Sequence, residues 1–253
     1  MARTRPRAAV VAPVTWREAV HLTGTPIWCD ARRRRDICFV SSAAAIATRT
    51  TKHGQLVATQ PTLALLGANI DGGHLGVPLH RPFTLGMLRV ELLASGRGIG
   101  AASLFVDDAG RRTLYAGPIR SDVPVLDGAY AIDRAAVRTC DAVVVAVPIV
   151  DDATGKLASV IDRVDTWCKS ELAAGRRPVL LADTHLDGLE IAACLVARGH
   201  VLAGTRGLRD AMQRLEAAHP GTIAAATHGV TKEPRIVVGR QEDRDAIVRA
   251  LAN

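Results

Sequence analysis

Aromatic side chains are scarce: phenylalanine, tyrosine and tryptophan make up 3% of the chain. That is a thin supply for a surface that stacks bases on rows of rings. Long apolar runs are also missing. No uninterrupted stretch approaches the ~20 residues that a membrane helix needs, and mean hydropathy is near zero at +0.15, so no membrane partner is expected. The opening stretch "MARTRPRAAVVAPV" places arginines before a short apolar segment, and Pro13 interrupts it too soon for a secretory signal. Residues 1–14 are expected to be a flexible basic tail, and the protein to be cytoplasmic.

Several catalytic and metal motifs are absent too. The five cysteines, Cys29, Cys38, Cys140, Cys168 and Cys194, include no C-x-x-C pair. An odd, scattered set argues against a disulfide framework and against a thiolate zinc site. No two histidines have the spacing of a ligand pair on one helix or strand, and a G-x-S-x-G nucleophile elbow is missing. "DDATGK" (Asp151 to Lys156) lacks the leading glycine and the hydroxyl residue after lysine that a phosphate-binding P-loop requires. "SGRGIGAAS" (Ser95 to Ser103) runs into the strand-like "SLFVDD", not a helix, which makes it a structural turn and not a dinucleotide loop. Cys29 has many arginines nearby, which would lower a thiol pKa, but no histidine close in sequence to act as base, so it reads as structural.

What the chain does have is apolar bulk and positive charge. At 253 residues and 48% hydrophobic it can fill the core of one large domain or two small ones. The formal net charge is +7 and the pI near 9.6, with arginine clusters at "ARRRRD" (Ala31 to Asp36), at Arg111–Arg112 and at "GRR" (Gly175 to Arg177). Such a balance attracts polyanions, nucleic acid first among them. A codon bias toward arginine over every surface is the alternative source.

The hydrophobic period changes near Cys140. Before it, "DICFVSS" and "QLVATQ" read as strands and "PTLALLGAN" as a short helix. "FTLGMLRVELLAS" alternates like a strand, and "ASLFVDDAGRRTLYAG" reads as a hairpin turning at a glycine. Together they predict an antiparallel meander. After Cys140, strand "DAVVVAVPIV" precedes an amphipathic helix whose stripe is Leu157, Val160, Ile161, Val164, Trp167, Cys168 and Leu172, with Gly175 as its C-cap. Strand "RPVLLAD", helix "GLEIAACLVARG", strand "HVLAG", helix "GLRDAMQRLEAAHPG", strands "TIAAAT" and "RIVVG" and helix "EDRDAIVRALAN" follow. That alternation implies βαβ units on a partly parallel sheet.

One acidic–histidine group stands out. Asp183, His185 and Asp187 alternate at the end of a strand in "ADTHLDGLE". Two carboxylates and an imidazole are able to ligate a divalent ion and support a metal-dependent hydrolase or nuclease. The competing reading is a helix start near Leu189 capped by Thr184 or Asp187.

Read in order, "VHLTGTPIWCDARRRRDICFVSSAAAIATR", "VATQPTLALL", "RPFTLGMLRVELLASGRGIGAASLFVDDAGRRTLYAGPIRSD", "CDAVVVAVPI", "RPVLLAD", "HVLAGTRGLRDAMQRL" and "RIVVG" resemble the bacterial DNA ligase-associated exonucleases. These are a compact branch of the metallo-β-lactamase/β-CASP nucleases. The resemblance implies an α/β fold, namely a metallo-β-lactamase-like αββα sandwich with a shortened β-CASP-like α/β insert. Residues 15–150 would form the β-rich half of the core, 151–218 the insert, and 219–253 the return to the core.

The departures from that family fall on its chemistry. Laid on the H-x-H-x-D-H loop without gaps, the histidines and aspartate coincide with Ser42, Ala44, Ala47 and Ile46. Further ligand positions coincide with Arg97, Pro118 and Ala203. A two-metal nuclease centre holds its ions roughly 3.5–4 Å apart and needs lone pairs to do so, which alanine and isoleucine lack. The resemblance therefore implies a catalytically inactive homologue with no catalytic residues, metal or cofactor. It would bind nucleic acid, or scaffold or regulate a partner such as a nuclease, helicase or ligase in DNA repair. Arg32, Arg33, Arg34, Arg35, Arg97, Arg111, Arg112 and Arg120 are the expected nucleic-acid contacts, with Arg97 gripping phosphate.

Overall fold

A computed structural model describes residues 12–45, 52–67, 73–120, 128–132, 138–146, 157–221, 227–228 and 235–252. The protein is a mixed α/β molecule. Its first part runs β1 (Val14–Trp16), β2 (Val20–Leu22), β3 (Ile27–Cys29), β4 (Ile37–Phe39), β5 (Gln55–Ala58), α1 (Gln60–Leu66), β6 (Gly73–Gly76), β7 (Phe83–Leu85), β8 (Leu88–Ala94), β9 (Ala102–Asp108), β10 (Arg111–Pro118) and β11 (Ala142–Ala146). Its second part runs α2 (Leu157–Ala173), β12 (Val179–Ala182), α3 (His185–Val196), β13 (Leu202–Gly204), α4 (Arg206–Ala218), β14 (Thr227–His228), β15 (Ile236–Arg240) and α5 (Arg244–Ala252).

Strands β1 to β6 form one sheet in sequence order, and a second sheet has the order β11-β10-β9-β8-β7. Alternate residues of each strand point to opposite faces, and one face of each sheet meets the other. Leu22, Ile27, Phe39 and Val57 of the first sheet interdigitate with Val90, Leu92, Leu104 and Tyr115 of the second. The intervening residues Cys38, Leu56 and Ala58 face outward, where Leu63 and Leu66 of α1 cover them. Thr59 starts α1 by accepting from the Thr62 N–H, and Pro61 occupies the first turn, where its missing N–H is harmless.

The third sheet is parallel throughout, in the order β12-β15-β13-β14. Its middle strand is buried on both faces, which suits a near-continuous run of β-branched residues. Ile236 and Val238 pack under α3 and α4, and Val237 packs with Ala203 under Ile247 of α5. Among the described residues, no helix is long and apolar enough to cross a membrane.

The hairpin at "DDAGRR" turns as expected, with Ala109 and Gly110 both at positive φ, and α2 ends at Gly175 with φ +72°. Three expectations need correction. "FTLGMLRVELLAS" is two strands and not one: Gly86 reverses the chain with φ +62° and leaves Met87 98% exposed, which strand alternation alone does not reveal. The first half is no pure antiparallel meander, because β3 to β6 pair in parallel. Helix α3 begins at His185, earlier than Leu189, because Thr184 caps it by accepting from the Asp187 N–H. The tail over residues 1–11, the "DDATGK" stretch, the boundary at 150–151 and most of "TIAAAT" lie outside the described residues.

Phe39 is fully buried and meets Tyr115 edge-on at 6.2 Å. Phe39→Ala is expected to cost about 3–5 kcal/mol in urea unfolding, whereas Met87→Ala at the exposed hairpin tip should stay within about 0.5 kcal/mol of wild type.

Candidate functional site

The chain segments leaving β4, β5, β8 and β10 converge on the N-terminal half of α3. Asp30, which ends β3 at positive φ, organises the first of these segments. Its Oδ1 accepts from the Ser41 N–H at 2.8 Å, and its Oδ2 accepts from Ser41 Oγ at 2.6 Å and from the Tyr115 hydroxyl at 2.7 Å. The Ser41 carbonyl in turn accepts from the Ala102 N–H at 2.8 Å. Ser42 is buried and accepts from the Ala44 N–H at 3.1 Å, while Ala43 and Ala44 pack on the cluster under α3 and α4. Ile46 and Ala47 lie outside the described residues. After β5, the hydroxyls of Thr59 and Thr62 both donate to the Gly100 carbonyl, at 2.5 and 2.8 Å.

Two arginines close the convergence. The Arg97 Nη2 donates to Asp187 Oδ1 at 2.6 Å. Arg120 makes a fork on Glu190, both contacts at 3.0 Å, with the glutamate side chain only 4% exposed. Gly98 lies between them at φ +152°, where an added Cβ would come within 2.9 Å of Glu190 Oε1, so no larger residue fits without a shift. Arg97 and Arg120 are thus engaged by carboxylates of α3, and the expectation that Arg97 presents its guanidinium to phosphate does not describe this conformation.

The alternative group disperses. Asp187 serves Arg97 and also accepts from Thr184 Oγ at 2.6 Å, and Asp183 is exposed. Burial, and then the charges of Arg240 and Arg214, hold the His185 imidazole below its ordinary pKa. Among the described residues, no three His, Cys, Asp or Glu side chains gather closely enough to hold a metal ion. Pro118 ends β10, and Ala203 is buried beneath α5. Burial also pushes the Cys29 thiol upward, with the Asp30 charge adding to it, so the arginines nearby in sequence do not activate it.

The remaining arginines occupy two other places. At the tip of the β9–β10 hairpin, Arg111 donates to the Thr23 carbonyl at 2.5 Å and pairs with Asp108 at 3.3 Å. Arg112 pairs with Asp107 at 3.3 Å and lines a polar recess of about 350 Å³ with Arg89, Glu91 and Arg138. The connection from β3 to β4 carries the other four. It is fastened at its start by Asp30 and at its end by the Gly54 N–H to the Arg35 carbonyl and the Gln55 N–H to the Asp36 carbonyl, at 2.9 and 2.7 Å. The Arg35 guanidinium lies 3.8 Å from the Trp28 ring centroid, and the His21 ring stacks on the same indole at 4.5 Å. The His21 Nε2–H donates to the Thr25 carbonyl at 2.8 Å, which fixes its tautomer. Arg32, Arg33 and Arg34 project to solvent, and only Arg33 has an ion pair among the described residues, with Glu18 at 2.9 Å.

Asp30, Tyr115 and Glu190 escaped sequence reasoning. Glu190 had a visible signal, a carboxylate inside the otherwise apolar run "GLEIAACL" of α3, since buried acids are paired. Asp30 had none, because its partners are Ser41, in the loop after β4, and Tyr115, on the second sheet.

No protein-family model and no curated protein matches this chain. Its fold is similar to that of a solved structure, a protein of unknown function from Enterococcus faecalis V583, with a TM-score of 0.51 and 12% identity. The alignment covers 84% of this chain and 56% of that one, so this chain spans just over half the length of its structural neighbour. At that identity the likeness concerns the fold alone.

Two outcomes follow from the geometry. Arg120→Ala leaves Glu190 buried and unpaired and is expected to cost about 3–5 kcal/mol in urea unfolding, while the double variant R120M/E190L should cost less than the single one. Burial raises the Asp30 carboxyl above its ordinary value, outweighing the hydrogen bonds from Ser41 and Tyr115 that lower it. The folded state therefore binds its proton more tightly than the unfolded chain does. This stabilising contribution is complete below the ordinary carboxylate range and is lost as pH rises through the raised value. Asp30→Asn removes that dependence, so the difference in unfolding free energy between wild type and variant should shift in the variant's favour from pH 3 to pH 7.

Proposed function

We propose that this protein is a non-catalytic nucleic-acid-binding subunit with a scaffolding or regulatory role, built on a metallo-β-lactamase-like sandwich with a shortened β-CASP-like insert. Two mixed sheets packed face to face, with α1 on the outer face of the first and a parallel α/β unit following, support the fold part of this reading. The side chains at the convergence support the non-catalytic part. Arg97–Asp187 and Arg120–Glu190 fill it with matched charge, and the ligand positions of the resembled nucleases, laid on this sequence, fall on residues such as Ser42, Ala44, Pro118 and Ala203.

The observation that carries the binding part is the β3–β4 connection. Tied at both ends, it holds three consecutive arginines outward, so little backbone entropy is lost when they meet a phosphate backbone. A partner nuclease, helicase or ligase would supply the chemistry on the strand held here. The engaged arginines, Arg97, Arg120, Arg111 and Arg112, keep the sandwich, α3 and the hairpin together and contribute little to affinity.

Fluorescence anisotropy with DNA and RNA probes over a salt titration tests this. Binding should weaken steeply with salt. R32A/R33A/R34A should lower affinity and flatten the plot of log K against log salt by about 2–3 units, roughly 0.7–0.9 for each phosphate that is no longer neutralised. Absence of binding to every probe at low salt would refute the reading.

A further inference from the structure

The turn from β1 to β2 places an unengaged tryptophan beside the arginine run. Trp16 ends β1 opposite Val20, past the edge of the sandwich core, and is 75% exposed. Unlike Trp28, whose ring is taken by His21 and Arg35, Trp16 has no ring or cation contact among the described residues. Arg17 follows it, exposed and with no ion pair among the described residues. The next residue, Glu18, holds the Arg33 guanidinium at 2.9 Å, which fastens the arginine run to the turn that follows Trp16, two positions after it in the chain. Arg17, Arg32, Arg33 and Arg34 face the solvent here against Glu18 and Asp36, leaving net positive charge around an exposed ring.

From this juxtaposition we infer that the surface takes single-stranded nucleic acid, with Trp16 stacking on an unpaired base and Arg17 and Arg32 to Arg34 meeting the phosphates on either side of it. This deepens the nucleic-acid-binding reading and rests on it. A guanidinium set alone would hold any polyanion, duplex included. An exposed indole adds attraction only for a base that is free to leave its stack. Trp16 occupies the edge of a three-residue strand and has few neighbours to disturb, so its replacement tests binding without testing folding.

The experiment compares an oligothymidine of about 20 nucleotides, a duplex of the same length and inorganic polyphosphate, all bound to the full chain at low salt. Trp16→Ala should weaken oligothymidine binding by about tenfold, the effect of one stacked base, and leave duplex and polyphosphate binding unchanged. Trp16→Phe should retain most of the affinity, since it keeps an aromatic face. If Trp16→Ala leaves oligothymidine binding intact, or weakens all three probes equally, the stacking inference is overturned. The wider reading still stands in that case, provided R32A/R33A/R34A weakens binding. If wild type binds none of the probes, both fall together.

Discussion

A single carboxylate anchors both the arginine run and the serine–alanine loop. Asp30 accepts one backbone and two hydroxyl hydrogen bonds, from Ser41 in the loop after β4 and from Tyr115 on the second sheet. Without those bonds the charge would be buried alone, a cost no surface interaction offsets. With them, the end of β3 is pinned to the start of the loop after β4 and to the facing sheet. On one side of Asp30 the chain enters the arginine run. On the other, Ser41 leads into the serine–alanine loop that meets α3.

The same economy of charge governs the rest of the molecule. A net charge of +7 invites the view that every arginine faces a polyanion, yet many of these guanidinium groups are structural. Arg120 reaches the buried Glu190, Arg97 reaches Asp187, Arg138 forks on Glu91 and Arg35 covers Trp28. Arginine suits these roles because its planar fork matches a carboxylate and its face matches an aromatic ring. Arg17 and Arg32 to Arg34 are among those that remain outward, and Arg32 to Arg34 are consecutive in the chain.

Much of the architecture was legible beforehand. Period and punctuation located the "DDAGRR" hairpin, α2 with its glycine cap, and the βαβ alternation of the second half, because these are local matters of side-chain spacing and backbone freedom. Parallel pairing of β3 with β4 was not legible: the connection that permits it runs back through Ala31 to Asp36 and leaves no turn signature. The hairpin at Gly86 was hidden because Thr84, Leu85, Met87 and Leu88 keep an alternation that a straight strand also satisfies.

The candidate site divides along the same line. Sequence by itself determined which atoms each side chain offers: alanine and proline side chains carry no lone pair for a metal wherever the fold puts them, and four successive arginines carry positive charge in any conformation. Only the tertiary structure decided which of those charges are already engaged. Arg97 meets a carboxylate 90 residues away and Arg120 one 70 residues away, and pairing over such separations leaves no local pattern. It decided likewise that Trp16, one of few aromatic residues, stands exposed two positions before Glu18, which holds Arg33 from across two strands and a connection.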